Sequence, residues 1–320
     1  MRGSGYIIRC QKSFGDKVLF NDFTFDLNKD DIIGVVSQPD KRVGRHQILT
    51  NTPVKELALK YDIPVFQPEK IKEDYDDVIS LNPDIIITCA YGQIIPKEVL
   101  DAPRLGCINV HASLLPKLRG GAPIHKAIID DYGVTGVTIM YMDIGMDTGD
   151  MISKVEIPIL DSDNLESLHD KLSEAGTRLL LDTLPSIING TNTREKQNPD
   201  EVTYAYNIKR EDERIDFSRS CREVFNLIRG LCPIPCSNAM LDDKEMKIYS
   251  SEIIEKKYNG KCGEIVDINK NGLVVLCNDG AIVIKEIKPF GKKRMDAYSY
   301  ANGVGKDKLI GKVFNNEELY

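Results

Sequence analysis

Apolar and polar positions change rhythm along this chain of 320 residues. In the first two thirds, short apolar runs alternate with stretches of helical period. DIIGVVS (31–37), VFQ (65–67), PDIIITCA (83–90), GCINVHA (106–112) and VTGVTIMYMD (134–143) read as strands. PVKELALKYDI (53–63), opened by a proline, KIKEDYDDVISL (70–81), IPKEVLDA (95–102) and APIHKAIIDDY (122–132) read as helices. Strands alternating with helices predict right-handed crossovers and a largely parallel sheet covered on both faces, an α/β fold. A long amphipathic helix over 164–187 closes this part, and NGTNTREKQNPDEVTY (189–204), poor in apolar residues, reads as a linker. After one more helix (218–231) the rhythm changes to β-patterned runs, EMKIYSSEII, GKCGEIVDI, GLVVLC and AIVIKEIKP, broken by NGK, NKNG and NDG. Short strands on turn signals predict a small β-barrel of the OB type. The expected division is 1–188, a linker at 189–204, and 205–320.

The start of the chain fits this scheme least well. KVLF (17–20) reads as a first strand, which leaves about ten residues before the strand at 31. A parallel crossover with its helix needs roughly a dozen or more, so the first βα unit is expected to be atypical.

Charge divides along the same line. The formal net charge is −7, with about −9 carried up to Thr203 and about +2 beyond it. An acidic protein of this kind does not coat nucleic acid nonspecifically, while the near-neutral second part is compatible with a folded RNA partner. There is no stretch of eighteen apolar residues to span a membrane and no secretory leader, so a cytoplasmic protein with reduced thiols is expected. Of the eight cysteines only Cys232 and Cys236 lie close together, with no histidine nearby, and no metal site is expected.

Candidate chemistry gathers in three segments. Asn109 and His111 alternate on one strand and therefore share a face. An amide can donate to a developing oxyanion and an imidazole can shuttle a proton, although the same pair could simply be satisfied at a strand end. Ser113, Leu114, Leu115 and Pro116 follow in an extended loop that offers backbone groups and an apolar wall to a flat heterocycle, or serves as an ordinary connection. In YMDIGMDTGDMI, Asp147 occupies the centre of a Gly-x-Asp-x-Gly loop, and Asp150 fits a purely structural turn role better. An Asn, a His and an Asp converging at the carboxyl ends of adjacent strands would suit acyl transfer to an amine without a covalent nucleophile.

The N-V-H-x-S-L-L-P-x-x-R-G stretch and the Gly145-Met146-Asp147-Thr148-Gly149 loop closely resemble the catalytic segments of the tetrahydrofolate-dependent formyltransferases. QPDKRVGR (38–45), RGGAPIHKAI (119–128), YAYNIKREDERIDFSRS (204–220) and EIKPFGKKRMDA (286–297) are similar to the branch of that family that acts on an aminoacyl-tRNA. The resemblance implies a Rossmann-like catalytic domain, 10-formyltetrahydrofolate as formyl donor, and the methionyl group of initiator tRNA as acceptor. It implies no metal and no membrane partner, and a monomer is expected. By the same resemblance Asn109, His111 and Asp147 are catalytic, with Asn109 and His111 stabilising the oxyanion. Ser113, Leu114, Leu115, Pro116, Tyr91, Gly92 and Gln93 would lie near folate. Lys41, Arg42 and Arg45, and in the second part Lys292, Lys293 and Arg294, would contact tRNA. Two departures stand out: the family's Gly-Thr-Pro-x-Phe loop is missing from the start, and Gly44-Arg45 is followed by His46-Gln47-Ile48 rather than lysines. Alternatives are a formyltransferase acting on a sugar nucleotide or another small amine, and a non-catalytic folate- or tRNA-binding relative.

Overall fold

The computed structural model describes residues 6–8, 32–43 and 47–315. The first strands are β1 (Tyr6–Ile8), β2 (Ile32–Val36), a ribbon of β3 (Lys41–Val43) and β4 (Ile48–Thr50), β5 (Val65–Phe66), β6 (Ile85–Thr88), β7 (Cys107–His111), β8 (Val134–Tyr141) and β9 (Met151–Pro158). Seven of them form one sheet in the order β5-β2-β1-β6-β7-β8-β9, and β5 through β7 in that order pair in parallel. β6 is buried along its whole length, as a strand with helices on both faces must be. Its pleat sends Ile86 toward Val36, Ile71, Val78 and Val99, and Ile85 and Ile87 toward Ile108, Leu180, Leu184 and Ile187.

Helix α1 (Pro53–Lys60) begins as read, with Pro53 in its first turn and the Thr52 side chain accepting from the Lys55 N–H. α2 (Asp76–Ser80) and α3 (Lys97–Leu100) are shorter than expected. In the first case Glu73 and Asp74 both donate to the Lys70 carbonyl and close a separate turn ahead of the helix. α4 (Pro123–Ile129) and the long α5 (Leu165–Ile188) complete the set.

Two features add detail to the sequence reading. The place between β2 and β6 is filled by Tyr6–Ile8. The expected strand at 17–20 lies outside the described residues. β1 ends at Ile8 and β2 starts at Ile32, and the expected atypical first βα unit falls on residues outside the description. The sheet is mainly parallel, as expected, with an exception at β8. β8 runs antiparallel to β7, with Ile108 opposite Tyr141 and His111 opposite Thr138.

The chain divides into two compact units, one comprising residues up to Pro123, Thr135–Pro158 and Asp170–Tyr206, the other Ile124–Val134, Ile159–His169 and Asn207 onward. Residues 189–204 are tied down rather than free. Glu195 and Met151 exchange backbone hydrogen bonds, Arg119 bridges to the 203–205 backbone, and the Arg194 guanidinium lies 3.7 Å over the Tyr141 ring.

The second unit contains α6 (Cys221–Leu231), started by a capping box between Ser220 and Glu223. Its strands are β10 (Ser237–Leu241), β11 (Lys244–Ile254), β12 (Ile265–Asn269), β13 (Gly272–Leu276), β14 (Ala281–Pro289) and β15 (Met295–Asp296), followed by α7 (Ala297–Val304). The first five form an antiparallel sheet in the order β10-β11-β14-β13-β12, with β15 on β14. The sheet does not close into a barrel, because β10 and β12 do not pair with each other among the described residues, so the expected OB-type barrel is shown only as a domain of antiparallel strands. Isolated bridges from Val313 to Glu264 and from Asn315 to Met240 reach the two edges instead. Phe217, Val224 and Ile228 pack onto Ile248, Leu273, Ile284 and Phe314 in the core of this unit.

The excursions 124–134 and 159–169 join this unit through α6. Arg222 pairs with Asp131 and Asp161. Arg229, 6% exposed, donates from Nη1 to the Leu160 and Asp163 carbonyls at 2.7 and 3.0 Å and from Nε to Asn226 at 2.9 Å. Truncating Arg229 would leave two carbonyls without their donor. We expect Arg229→Ala to lower the unfolding free energy by about 2–4 kcal/mol in urea titration, and a loss below about 1 kcal/mol would show that these bonds are replaceable.

Candidate active site

β7 carries the first two residues. Asn109 is half-buried on it and His111 is buried. Parallel pairing sets Thr88, at the end of β6, beside Asn109. The single hydroxyl proton of Thr88 has three acceptors within reach: Asn109 Oδ1 at 2.9 Å, Met142 Sδ at 3.0 Å and the Ile108 carbonyl at 3.1 Å. Donation to Asn109, the shortest, fixes the amide oxygen and turns the NH₂ group away. That nitrogen has no acceptor among the described residues, so it is a donor held ready.

His111 is fixed by a different element. Its Nε2 lies 3.1 Å from the Leu118 carbonyl oxygen. A carbonyl can only accept, so the ring proton on that side sits on Nε2 and Nδ1 carries the lone pair. Nδ1 looks toward Asp147 Oδ1 at 3.7 Å, longer than a hydrogen bond, and the two form an ion pair only when the imidazole is protonated.

Asp147 reaches this place by an indirect route. Because β8 is antiparallel to β7, its carboxyl end lies beside Ile108, not His111. The three residues therefore do not meet as neighbouring strand ends, and the loop after β8 folds back to deliver the carboxylate. Asp143 ties the loop's base by accepting from the Gly145 N–H and the Thr148 hydroxyl. Asp147 itself takes a left-handed backbone, φ 53°, and its Oδ2 accepts from the Gly120 N–H at 2.8 Å. Gly149 allows the return, since a Cβ there would lie 2.0 Å from the Tyr141 carbonyl oxygen. Asp150 contributes its carbonyl to Tyr141 N–H.

The folate-side candidates separate into builders and exposed groups. The Ser113 hydroxyl donates to the Lys117 carbonyl, and Leu115 packs on Met140 and Met151 while its N–H donates to Thr138. Both are buried, as is Pro116 after a cis peptide bond, whereas Leu114 is half-exposed. Tyr91 is buried and its carbonyl accepts from Gln38. Gln93 accepts from the Ile71 N–H and donates to Gln38 and the Glu69 carbonyl. Gly92 is exposed, at φ 80°. Cys107, under the site on β7, has its thiol pushed up to about 12 by burial, so it is no nucleophile near neutral pH. Among the described residues no group of three or more His, Cys, Asp or Glu could hold a metal ion, and no helix is long and apolar enough to cross a membrane.

Of the cationic candidates, Lys41 and Arg42 are exposed on the β3–β4 ribbon, whose root is held by Asp40. Hydrogen bonds from Gln67 and Lys55 keep the Asp40 carboxyl below the usual carboxylate range. Arg45 lies outside the described residues. Lys292 and Lys293 are exposed, with Lys292 over the Tyr300 ring. Arg294 is already committed, paired through two nitrogens with Glu286 and stacked on Tyr249.

Residues 8–184 match the formyl transferase family, and 207–305 match the formyl transferase C-terminal domain. A methionyl-tRNA formyltransferase of Macrococcus caseolyticus is 54% identical over 88% of this chain and 90% of its own length. The corresponding protein of Bacillus subtilis is 49% identical over 85% and 87%. The chain belongs to the methionyl-tRNA formyltransferases. Among solved structures, the fold is shared with an N-formyltransferase of Helicobacter canadensis complexed with folinic acid and dTDP-3-aminofucose (TM-score 0.62, 22% identity, 83% of this chain and 91% of that one). It is also shared with HypX of Aquifex aeolicus in complex with tetrahydrofolic acid (TM-score 0.59, 19% identity, 78% of this chain), of which this chain spans 44%. The sugar-nucleotide alternative thus rests on likeness of fold alone.

Sequence reading missed Thr88, whose chemistry is visible only once β6 lies beside β7. Thr88→Val keeps the shape and removes the proton that orients Asn109. We expect formyl-transfer turnover to fall about tenfold, roughly 1.4 kcal/mol of barrier, with a melting temperature within a few degrees of wild type; unchanged turnover would remove Thr88 from the site.

Proposed function

We propose that Asn109, His111 and Asp147 carry the transfer of a formyl group from 10-formyltetrahydrofolate to the α-amine of methionyl initiator tRNA. The observation that carries this reading is the Asn109 amide nitrogen, without an acceptor among the described residues, beside an imidazole whose Nδ1 faces a carboxylate. As the neutral amine attacks the formyl carbon, charge builds on the formyl oxygen, and Asn109 donates to it. His111 acts at Nδ1, since its Nε2 proton is engaged with Leu118. Nδ1 takes the proton released by the attacking amine, and the Asp147 carboxylate stabilises the imidazolium. The proton then passes to the folate nitrogen as its bond to the formyl carbon breaks. A new amide N–C bond replaces the old one with no covalent enzyme intermediate.

The donor set fits a formyl-bearing folate: an amide N–H with no acceptor among the described residues for the carbonyl oxygen, half-exposed Leu114, exposed Gly92, and exposed apolar Ile94 and Met146 on the flanking loops. Ser113, Leu115, Pro116, Tyr91 and Gln93 shape the loops around it. For tRNA, the exposed cations Lys41 and Arg42 of the first unit and Lys292 and Lys293 of the second are the phosphate-contact candidates, and we read the second unit's antiparallel sheet as an OB-type tRNA-binding fold.

The test is formylation of charged initiator tRNA with 10-formyltetrahydrofolate. Asn109→Ala and His111→Ala should each lower kcat at least about a hundredfold, the cost of an oxyanion donor being about 3–4 kcal/mol. Asp147→Asn retains an acceptor for the Gly120 N–H but loses the charge at His111, and should be far more damaging than Asp150→Asn. Near-normal rates in folded Asn109→Ala or His111→Ala protein would defeat the assignment.

For the tRNA surface, binding is measured against salt concentration. Replacing Lys292 and Lys293 with alanine should reduce the log–log slope by up to about two, one per phosphate contact, while Arg294→Ala leaves it nearly unchanged. A larger effect from Arg294 would mean that its pairing with Glu286 opens on binding.

A further inference from the structure

We infer that Gln197 is a positioning residue for Asp147, acting from the segment that reads as a linker. The inference rests on the functional reading of Asp147 given above. Gln197 uses every proton of its amide: Nε2 donates to the Asp147 and Gly149 carbonyls, both at 2.8 Å. Its Oε1 accepts from Arg119 Nε at 3.0 Å and Nη2 at 2.7 Å. Arg119 is itself buried, 8% exposed, and held at its backbone by the Thr203 carbonyl and the Ala205 N–H.

These bonds close a ring around the carboxylate. Asp147 is gripped at its carbonyl by Gln197 and at Oδ2 by the Gly120 N–H, and both grips lead back to the Arg119–Gly120 peptide. Gly120 can serve there only as glycine, at φ 119° and with a Cβ position 2.7 Å from the Ala205 carbonyl oxygen. The ring has a loop to restrain, because Asp147 holds a left-handed backbone that a non-glycine residue leaves readily when its partners go. A rotation of that peptide would swing Oδ1 away from His111 Nδ1.

The chemistry of the amide separates positioning from mere stapling. Glutamate at 197 would still accept from Arg119, as a charge-assisted pair, but it would set an oxygen without a proton against two carbonyl oxygens. Stapling of the segment to Arg119 would survive, and the hold on the Asp147 loop would not.

The experiment compares wild type, Gln197→Glu, Gln197→Ala, Asp147→Asn and the Asp147→Asn/Gln197→Glu double variant in the full chain, with charged initiator tRNA and 10-formyltetrahydrofolate. For Gln197→Glu we expect kcat to fall at least tenfold, KM for both substrates to stay within about twofold, and the melting temperature to stay within a few degrees. Gln197→Ala should fall similarly, and it decides the matter if the glutamate variant does not fold. The double variant should turn over within about twofold of Asp147→Asn, since Gln197 acts through Asp147. A Gln197→Glu kcat within twofold of wild type, beside a strongly impaired Asp147→Asn, overturns the proposal while leaving Asp147 in its role. Multiplicative losses in the double variant overturn it as well. If Asp147→Asn itself turns over normally, the reading of Asp147 fails and this one with it.

Discussion

The direction of a single strand governs this site. β8 lies antiparallel to β7, so the loop that follows it leaves the sheet beside Ile108, away from His111. Bringing a carboxylate to the histidine then requires a loop that doubles back, and such a loop needs conformations that ordinary residues resist. The solution is local: glycine at 149, where a Cβ would lie 2.0 Å from the Tyr141 carbonyl oxygen, and a left-handed aspartate held from two sides.

The remaining polar groups obey the cost of burial. An unpaired buried donor or acceptor costs about 1–3 kcal/mol, and the side chains around β7 are nearly all matched: Ser113 to Lys117, Thr138 to Ser113, His111 to Leu118. Against that background the amide nitrogen of Asn109 stands out. Thr88 satisfies its oxygen and, among the described residues, no acceptor takes its nitrogen; the side chain is only half-buried, so that nitrogen is not a buried unpaired donor and carries no such cost.

The same accounting explains why the segment 189–204 is more than a tether. Its polar groups are used inside the first unit: the Gln197 side chain on Arg119 and the Asp147 loop, the Thr203 side chain on the Leu118 N–H, and the Glu195 backbone on β9. In the second unit a buried arginine plays the comparable part, collecting the carbonyls of 160 and 163 into α6.

By itself the sequence determined the alternation of strand and helix, the strands at β2, β6 and β7, the start of α1, and the Asn109-x-His111 pair on one face, because those follow from periods of two and 3.6 and from capping chemistry close in the chain. It also carried the family, since N-V-H-x-S-L-L-P and Gly-Met-Asp-Thr-Gly are local strings. Tertiary structure decided what depends on residues distant in the chain. Strand direction is one case: an apolar run such as VTGVTIMY is equally compatible with parallel or antiparallel pairing, and only its partner selects. Placement of Tyr6–Ile8 in the sheet is another, three residues being too short for a period to register. Thr88 beside Asn109, Leu118 under His111 and Gln197 across Arg119 and Asp147 are separated by 21, 7 and 78 or 50 residues, and polar composition alone reads the last of them as linker. Hydrogen bonding between remote groups leaves no periodic trace, so those partners appear only when the chain has folded.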